Sequence, residues 1–67
     1  MPSVGTNIRM RREAEGLTQL RLAIRLGTTP QTVANWETGR SNLTVPMLLK
    51  IARELGTTAN ALMEGIR

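Results

Sequence analysis

Along the chain, apolar side chains recur at three- and four-residue intervals, and no stretch of useful length alternates as a half-buried strand would. The pattern predicts five short helices. The first runs from Val4 to Glu15 and stops at Gly16; Val4, Ile8 and Glu15 share a face, with Arg12 beside Ile8. The second runs from about Thr18 to Leu26, burying Leu22, Ala23 and Leu26, and Gly27 supplies the left-handed residue that ends it. The third opens with Thr29 as N-cap and Pro30 at the first helical position, where a missing N–H costs nothing, and closes at Thr38 before Gly39. After the polar connector Arg40, Ser41, Asn42 and Leu43, Thr44 caps a fourth helix with Val45 and Pro46 in its first turn. Its stripe is Leu48, Ile51, Ala52 and Leu55, with Met47 alongside, and Gly56 ends it. Thr58 caps a fifth, whose inner face is Ala59, Leu62 and Ile66. The expected fold is all-α, a compact arrangement of five helices around one core, with residues 1–67 forming a single domain.

The second and third helices, residues 18–38, are joined by a tight turn at Gly27-Thr28. On a helical wheel Val33, Trp36 and Glu37 fall on one side of the third helix, and Gln31, Ala34, Asn35 and Thr38 on the other. That outer row is short, neutral and rich in amides. It suits base edges in a major groove, where Gln and Asn can bond adenine bidentately and a methyl can meet thymine. The pair of helices therefore reads as a helix-turn-helix. Trp36 invites a stacking role on bases, but its wheel position assigns it to the core.

Composition narrows the function. The 67 residues include no cysteine and no histidine, so the usual nucleophiles, bases and zinc ligands are missing and no enzyme is expected. No metal or cofactor is expected either. Nine Arg/Lys against five Glu give a net charge of +4, which favours a polyanionic partner and by itself is a weak signal. No apolar run approaches the ~20 residues of a membrane span, and no secretory signal is visible, so the expected location is the cytoplasm.

The residues now in view resemble the lambdoid phage repressors, Cro proteins and their bacterial relatives of the xenobiotic-response-element type. The resemblance rests on R-x-x-R-x-x-x-G-L-T-Q from Arg9 to Gln19, L-A-x-x-L-G from Leu22 to Gly27, Q-T-V-x-x-W-E-x-G from Gln31 to Gly39, and L-L-K-I-A-R-E-L-G from Leu48 to Gly56. Each is weak alone; in this order and spacing, over roughly Gly5 to Ile66, they are specific. The resemblance implies a lambda-repressor-like domain that binds double-stranded operator DNA, usually as a symmetric homodimer, with the third helix in the major groove. A transcriptional repressor is the expected role.

The resemblance also assigns residues. Base-reading positions fall on Thr29, Pro30, Gln31, Ala34 and Asn35; Pro30 departs from the family in offering only apolar contact. Gln19 stands where relatives hold a phosphate at the start of helix 2, beside Thr18. Arg40, Ser41, Asn42 and Thr44 follow the third helix as further phosphate candidates, with Thr38 and Arg11 weaker ones. Arg12 and Glu37 lie on inward faces, and an unpaired buried charge is costly. Relatives form an Arg–Glu ion pair at these positions, and the same pair is expected here, with Arg12 also touching a phosphate; two solvated charges are the other reading. Leu62, Met63 and Ile66 are the dimer candidates.

Leu20 and Ile24 sit opposite Leu22 and Leu26, where relatives mostly carry polar residues. They mark either a contact with a protein partner, or a face covered by the N-terminal tail, or scattered surface apolars. Two alternatives to a simple repressor stay open: an antitoxin or restriction-modification controller that also binds a protein, and a protein-interaction module that binds no DNA.

Overall fold

Each helix among the described residues starts just after a hydroxyl residue. In the computed structural model, which describes residues 3–64, the elements are α1 (Val4–Ala14), α2 (Gln19–Leu26), α3 (Pro30–Thr38), α4 (Val45–Glu54) and α5 (Ala59–Leu62). The side chains of Ser3, Thr18, Thr29, Thr44 and Thr58 accept the backbone N–H of Thr6, Arg21, Thr32, Met47 and Ala61 in turn. Each supplies an acceptor to one of the N–H groups a helix start leaves unpartnered. Pro30 and Pro46 sit in first turns, where proline's fixed φ is already helical. Gly27 and Gly39 end α2 and α3 in the left-handed region, with φ of 72° and 79°.

The core is a single aliphatic cluster of Ile8, Leu22, Ala23, Leu26, Val33, Leu48, Ile51, Ala52, Leu55 and Leu62, with Trp36 among them. Helix α3 packs against α1 and α2, α2 also meets α4, and α5 bridges α4 and α1. Among the described residues there is no strand, and no helix is long and apolar enough to cross a membrane.

Polar side chains stitch the helix ends together over long sequence separations. Arg11 donates from Nε to Leu55 O and from Nη2 to Gly56 O, both at 3.1 Å, closing the carbonyl end of α4. Lys50 Nζ donates to Leu26 O at 3.0 Å at the end of α2. Asn7 Nδ2 donates to Leu62 O at 2.7 Å and Glu64 O at 2.9 Å, holding α5 against α1. A cation at a helix C-terminus meets both the open carbonyls and the negative end of the dipole.

Three expectations need correcting. Glu15 is exposed and caps α1 instead of joining its inner face, because the helix ends at Ala14 and the wheel no longer applies. Arg11 is tied to the α4 carbonyls and is thereby withdrawn as a DNA contact. Leu62, expected at a dimer contact, is 2% exposed and belongs to the core. Ile66, the third dimer candidate, lies outside the described residues.

Candidate nucleic-acid interface

The turn between α2 and α3 is set by its backbone: Gly27 takes the left-handed conformation and Thr28 N donates to Ala23 O at 2.9 Å. The chain then enters α3 through the Thr29 cap, whose hydroxyl also pairs with that of Thr32 at 2.9 Å. Helix α3 buries Val33, Trp36 and Glu37 and leaves Pro30, Gln31 and Thr38 exposed, with Ala34 and Asn35 half-buried. Its inner side is fixed by the core, so its outer side is fixed too.

What seats α3 is a polar cluster within an otherwise apolar interior. Arg12 donates from Nε to Glu37 Oε2 at 2.6 Å and from Nη2 to Glu37 Oε1 at 3.1 Å, a two-point contact that fixes orientation as well as distance. Arg12 Nη1 donates to Leu17 O at 2.7 Å, reaching across to the segment that leads into α2. Gln19 Nε2 donates to Glu37 Oε1 at 3.1 Å, so the first turn of α2 is fastened to the last turn of α3. The hydrogen bonds that Arg12 donates to the Glu37 carboxylate raise the Arg12 pKa above its ordinary value, against the opposing effect of desolvation. Among the described residues no buried side-chain polar atom lacks a partner. Arg12 is 7% exposed and its three nitrogens all bond within the fold. Its expected phosphate contact is therefore withdrawn.

A second seat is steric. Gly5 lies where a Cβ would be 2.3 Å from Trp36 O and 2.7 Å from Glu37 O, so α1 and the backbone of α3 approach as only glycine allows. Sequence reasoning passed over Gly5, because a helix-start glycine carries no mark of what it will touch.

The other candidates are distributed as follows. Gln31 and Asn35 come together, Gln31 Nε2 donating to Asn35 Oδ1 at 3.0 Å. The Thr38 hydroxyl donates to Ala34 O at 2.9 Å. Thr18 and Thr44 use their hydroxyls as helix caps. Arg40 and Ser41 are exposed and folded back on α3, both backbone N–H groups donating to Asn35 O, at 2.8 and 3.3 Å. Ser41, Asn42 and Thr44 line an open groove of about 390 Å³ with Trp36, Val45 and Met63. Leu20 and Ile24 are 55% and 67% exposed on the outer side of α2. Among the described residues no three His, Cys, Asp or Glu side chains converge as a metal site would require.

Comparison with known proteins bears on this geometry. The chain is 47% identical over 53 residues to the (S)-2-hydroxypropylphosphonic acid epoxidase of Streptomyces wedmorensis, covering 78% of this chain and 27% of that protein. It is 41% identical over 54 residues to a Yarrowia lipolytica protein named as a multi-protein-binding factor 1, covering 81% and 36%. The chain thus spans about a third of these curated relatives or less. Among solved structures, the Fe(II) epoxidase with substrate superposes with a TM-score of 0.85 at 41% identity, over 90% of this chain and 35% of that one. The P22 c2 repressor, solved with a synthetic operator, superposes with a TM-score of 0.87 over 97% of this chain and 98% of that one; at 23% identity the likeness is one of fold. A helix-turn-helix family model matches residues 8–62, most of the chain, so the chain belongs to that helix-turn-helix family, with the five-helix fold also seen in the P22 c2 repressor.

Proposed function

We propose that this domain is a sequence-specific regulator that binds double-stranded DNA, with α3 in the major groove and the first turn of α2 against the phosphate backbone. The observation that carries the reading is the exposed, uncharged, amide-bearing side of α3, held in place from behind by the buried Arg12–Glu37 pair. Thr29, Pro30, Gln31, Ala34 and Asn35 are the base-reading set. Thr18, Gln19, Thr38, Arg40, Ser41, Asn42 and Thr44 are the phosphate-side set. Gln19 keeps one amide N–H and its carbonyl oxygen beyond the bond to Glu37, so an attraction to phosphate is compatible with its fastening role.

The finer reading is a repressor that acts in the cytoplasm and binds a palindromic operator as a homodimer, with half-sites about 34 Å apart along one face of the duplex. Met63, 48% exposed, is the dimer candidate that remains at the surface. The epoxidase activity belongs to a relative about four times the length of the matched segment, and no catalysis is proposed for this domain. The test is selection of bound sequences from randomised duplex DNA, followed by variants. Asn35→Ala should lower discrimination at one base pair by about 1–3 kcal/mol with non-specific binding intact, whereas Gln19→Ala should weaken all sequences alike. Equal losses on selected and random duplexes for Asn35→Ala would contradict the base-reading assignment.

A second reading is favoured by one observation. Leu20 and Ile24 form an exposed apolar pair one turn apart, rimmed by the exposed Arg21 and Arg25. A regulator that also docks a protein on this face, as an antitoxin or controller would, is the alternative, and Leu20→Gln with Ile24→Gln should then abolish partner capture while DNA binding persists.

A further inference from the structure

We infer that the outer face of α2 docks an acidic amphipathic helix of a partner protein, whose apolar side chains cover Leu20 and Ile24 and whose carboxylates pair with Arg21 and Arg25. The inference rests on the second reading above, that a protein docks on this face, and adds the chemistry of that protein.

Adjoining features of α2 work against the free domain. Leu20 and Ile24 keep 55% and 67% of their surface in water, where aliphatic groups gain nothing. Arg21 stands in the first turn, its backbone N–H taken by the Thr18 cap. A cation there meets the positive end of the helix dipole, which favours an acid, and the first turn of α2 has no acidic residue. Arg25 follows one turn later and is also exposed. Among the described residues every ion pair is made by an arginine of α1, so neither Arg21 nor Arg25 has a carboxylate partner. Residues that disobey local preference with no compensating contact inside the fold are expected where a surface serves something outside it.

The shape and charge of the face name the occupant. Gly16, Leu17, Arg21, Ile24 and Arg25 line an open depression of about 380 Å³ that is aliphatic and cationic, with no carboxylate in its lining. Leu20 and Ile24 form one row along α2, and Arg21 and Arg25 a second row beside it. A helix laid against both needs apolar residues three or four apart, flanked by Asp or Glu. Its carboxylate on Arg21 would also meet the positive end of α2. Duplex DNA fits less well, because phosphates would pair with the arginines and leave the aliphatic row uncovered. The two sides of α2 also face different neighbours: Gln19 Nε2 reaches Glu37 of α3, whereas Arg25 Nη1 reaches Glu54 O of α4 at 3.4 Å. The arginine row is thus turned toward α4 and not toward the helix that carries the base-reading set.

The experiment is selection from a displayed library of helical peptides, run on the wild type, on Leu20→Gln with Ile24→Gln, and on Arg21→Glu with Arg25→Glu. All four positions are exposed, and far-ultraviolet circular dichroism establishes that the variants are folded. Arg21→Glu should unfold no sooner than the wild type, since it returns an acid to the start of α2. The wild type is expected to select peptides with apolar residues three or four apart flanked by Asp or Glu, and either double variant to bind them about tenfold or more weakly. The Arg→Glu variant should select Lys or Arg in place of the acids, an exchange that a merely apolar patch would not show. Selected apolar peptides without acids overturn the inference and leave the docking reading standing. Acidic peptides indifferent to Leu20→Gln with Ile24→Gln also overturn it. So does a reduced salt dependence of duplex binding in Arg21→Ala with Arg25→Ala, which gives the arginines to phosphate. Self-association lost in Leu20→Gln with Ile24→Gln gives the face to a second copy and overturns it too. Recovery of no peptide that depends on either pair removes the inference and the docking reading together, with DNA binding untouched.

Discussion

Replacing Gly5 by alanine tests whether α1 and α3 meet as closely in solution as the geometry requires. The new Cβ would stand 2.3 Å from Trp36 O, 2.7 Å from Glu37 O and 3.0 Å from Glu37 C. All three atoms are backbone, so no side-chain rotation relieves them. An ordinary carbon–oxygen contact is about 3.3–3.6 Å, and α1 must therefore lift from α3 by roughly 1 Å. Overpacking of this kind costs about 1–3 kcal/mol, and alanine returns about 0.5–1 kcal/mol through its better helix propensity. The net expectation is a loss of about 1–2 kcal/mol, which in a domain of this size lowers Tm by roughly 5–15 °C. Thermal unfolding followed at 222 nm and by Trp36 fluorescence measures it. The exposed neighbour Thr6 serves as control, with Thr6→Ala expected to stay within about 0.5 kcal/mol. A Gly5→Ala protein as stable as the wild type would refute the reasoning. A second readout follows from the same contact, because the displaced carbonyls belong to α3. Discrimination between selected and random duplexes should fall at temperatures where the variant is still fully folded.

Four further outcomes are expected. Glu37→Ala leaves Arg12 buried without its counter-charge and should destabilise the domain by about 3–5 kcal/mol in urea unfolding; a loss below about 1 kcal/mol would mean that the pair is solvated. Leu62→Ala should cost about 2–5 kcal/mol as a core truncation, while Met63→Ala should stay within about 0.5 kcal/mol, and equal effects would contradict their placement. Arg11→Ala should lower stability by about 1 kcal/mol through the lost carbonyl contacts at the end of α4, with sequence preference in a binding assay unchanged. Arg40→Ala should reduce the magnitude of the slope of log K against log salt by about 0.9 on any duplex, and an unchanged slope would remove Arg40 from the phosphate set.

How far the sequence carried depended on how local each cause is. The starts of α3 and α4 are written within four residues, by Thr29-Pro30 and Thr44-Val45-Pro46, and their caps need nothing from elsewhere in the fold. The inward side of α3 was equally legible, since Val33, Trp36 and Glu37 follow from period alone. The end of α1 was less so: the wheel treated Glu15 as helical although the chain turns there. Of the contacts that join distant segments, the Arg12–Glu37 pair was expected, from two inward-facing charges and from relatives, while others were invisible. Nothing near Gly5 announces the carbonyls of Trp36 and Glu37, and nothing near Arg11 announces those of Leu55 and Gly56. Gln19 was marked for a phosphate through family resemblance, but its bond to Glu37 makes it also a fastener between α2 and α3. Leu62 reads equally well as core or as interface until α5 is seen closing over α1 and α4.

Lys50 is the chain's single lysine, and its ammonium holds the last carbonyl of α2. An acylating reagent that reaches it converts three donors and a full positive charge into one neutral amide N–H. The carbonyl end of α2 then loses its counter-charge right where the chain bends toward α3. Lysine-directed chemistry on these 67 residues is thus confined to one side chain, at the end of α2 that leads into the turn before α3.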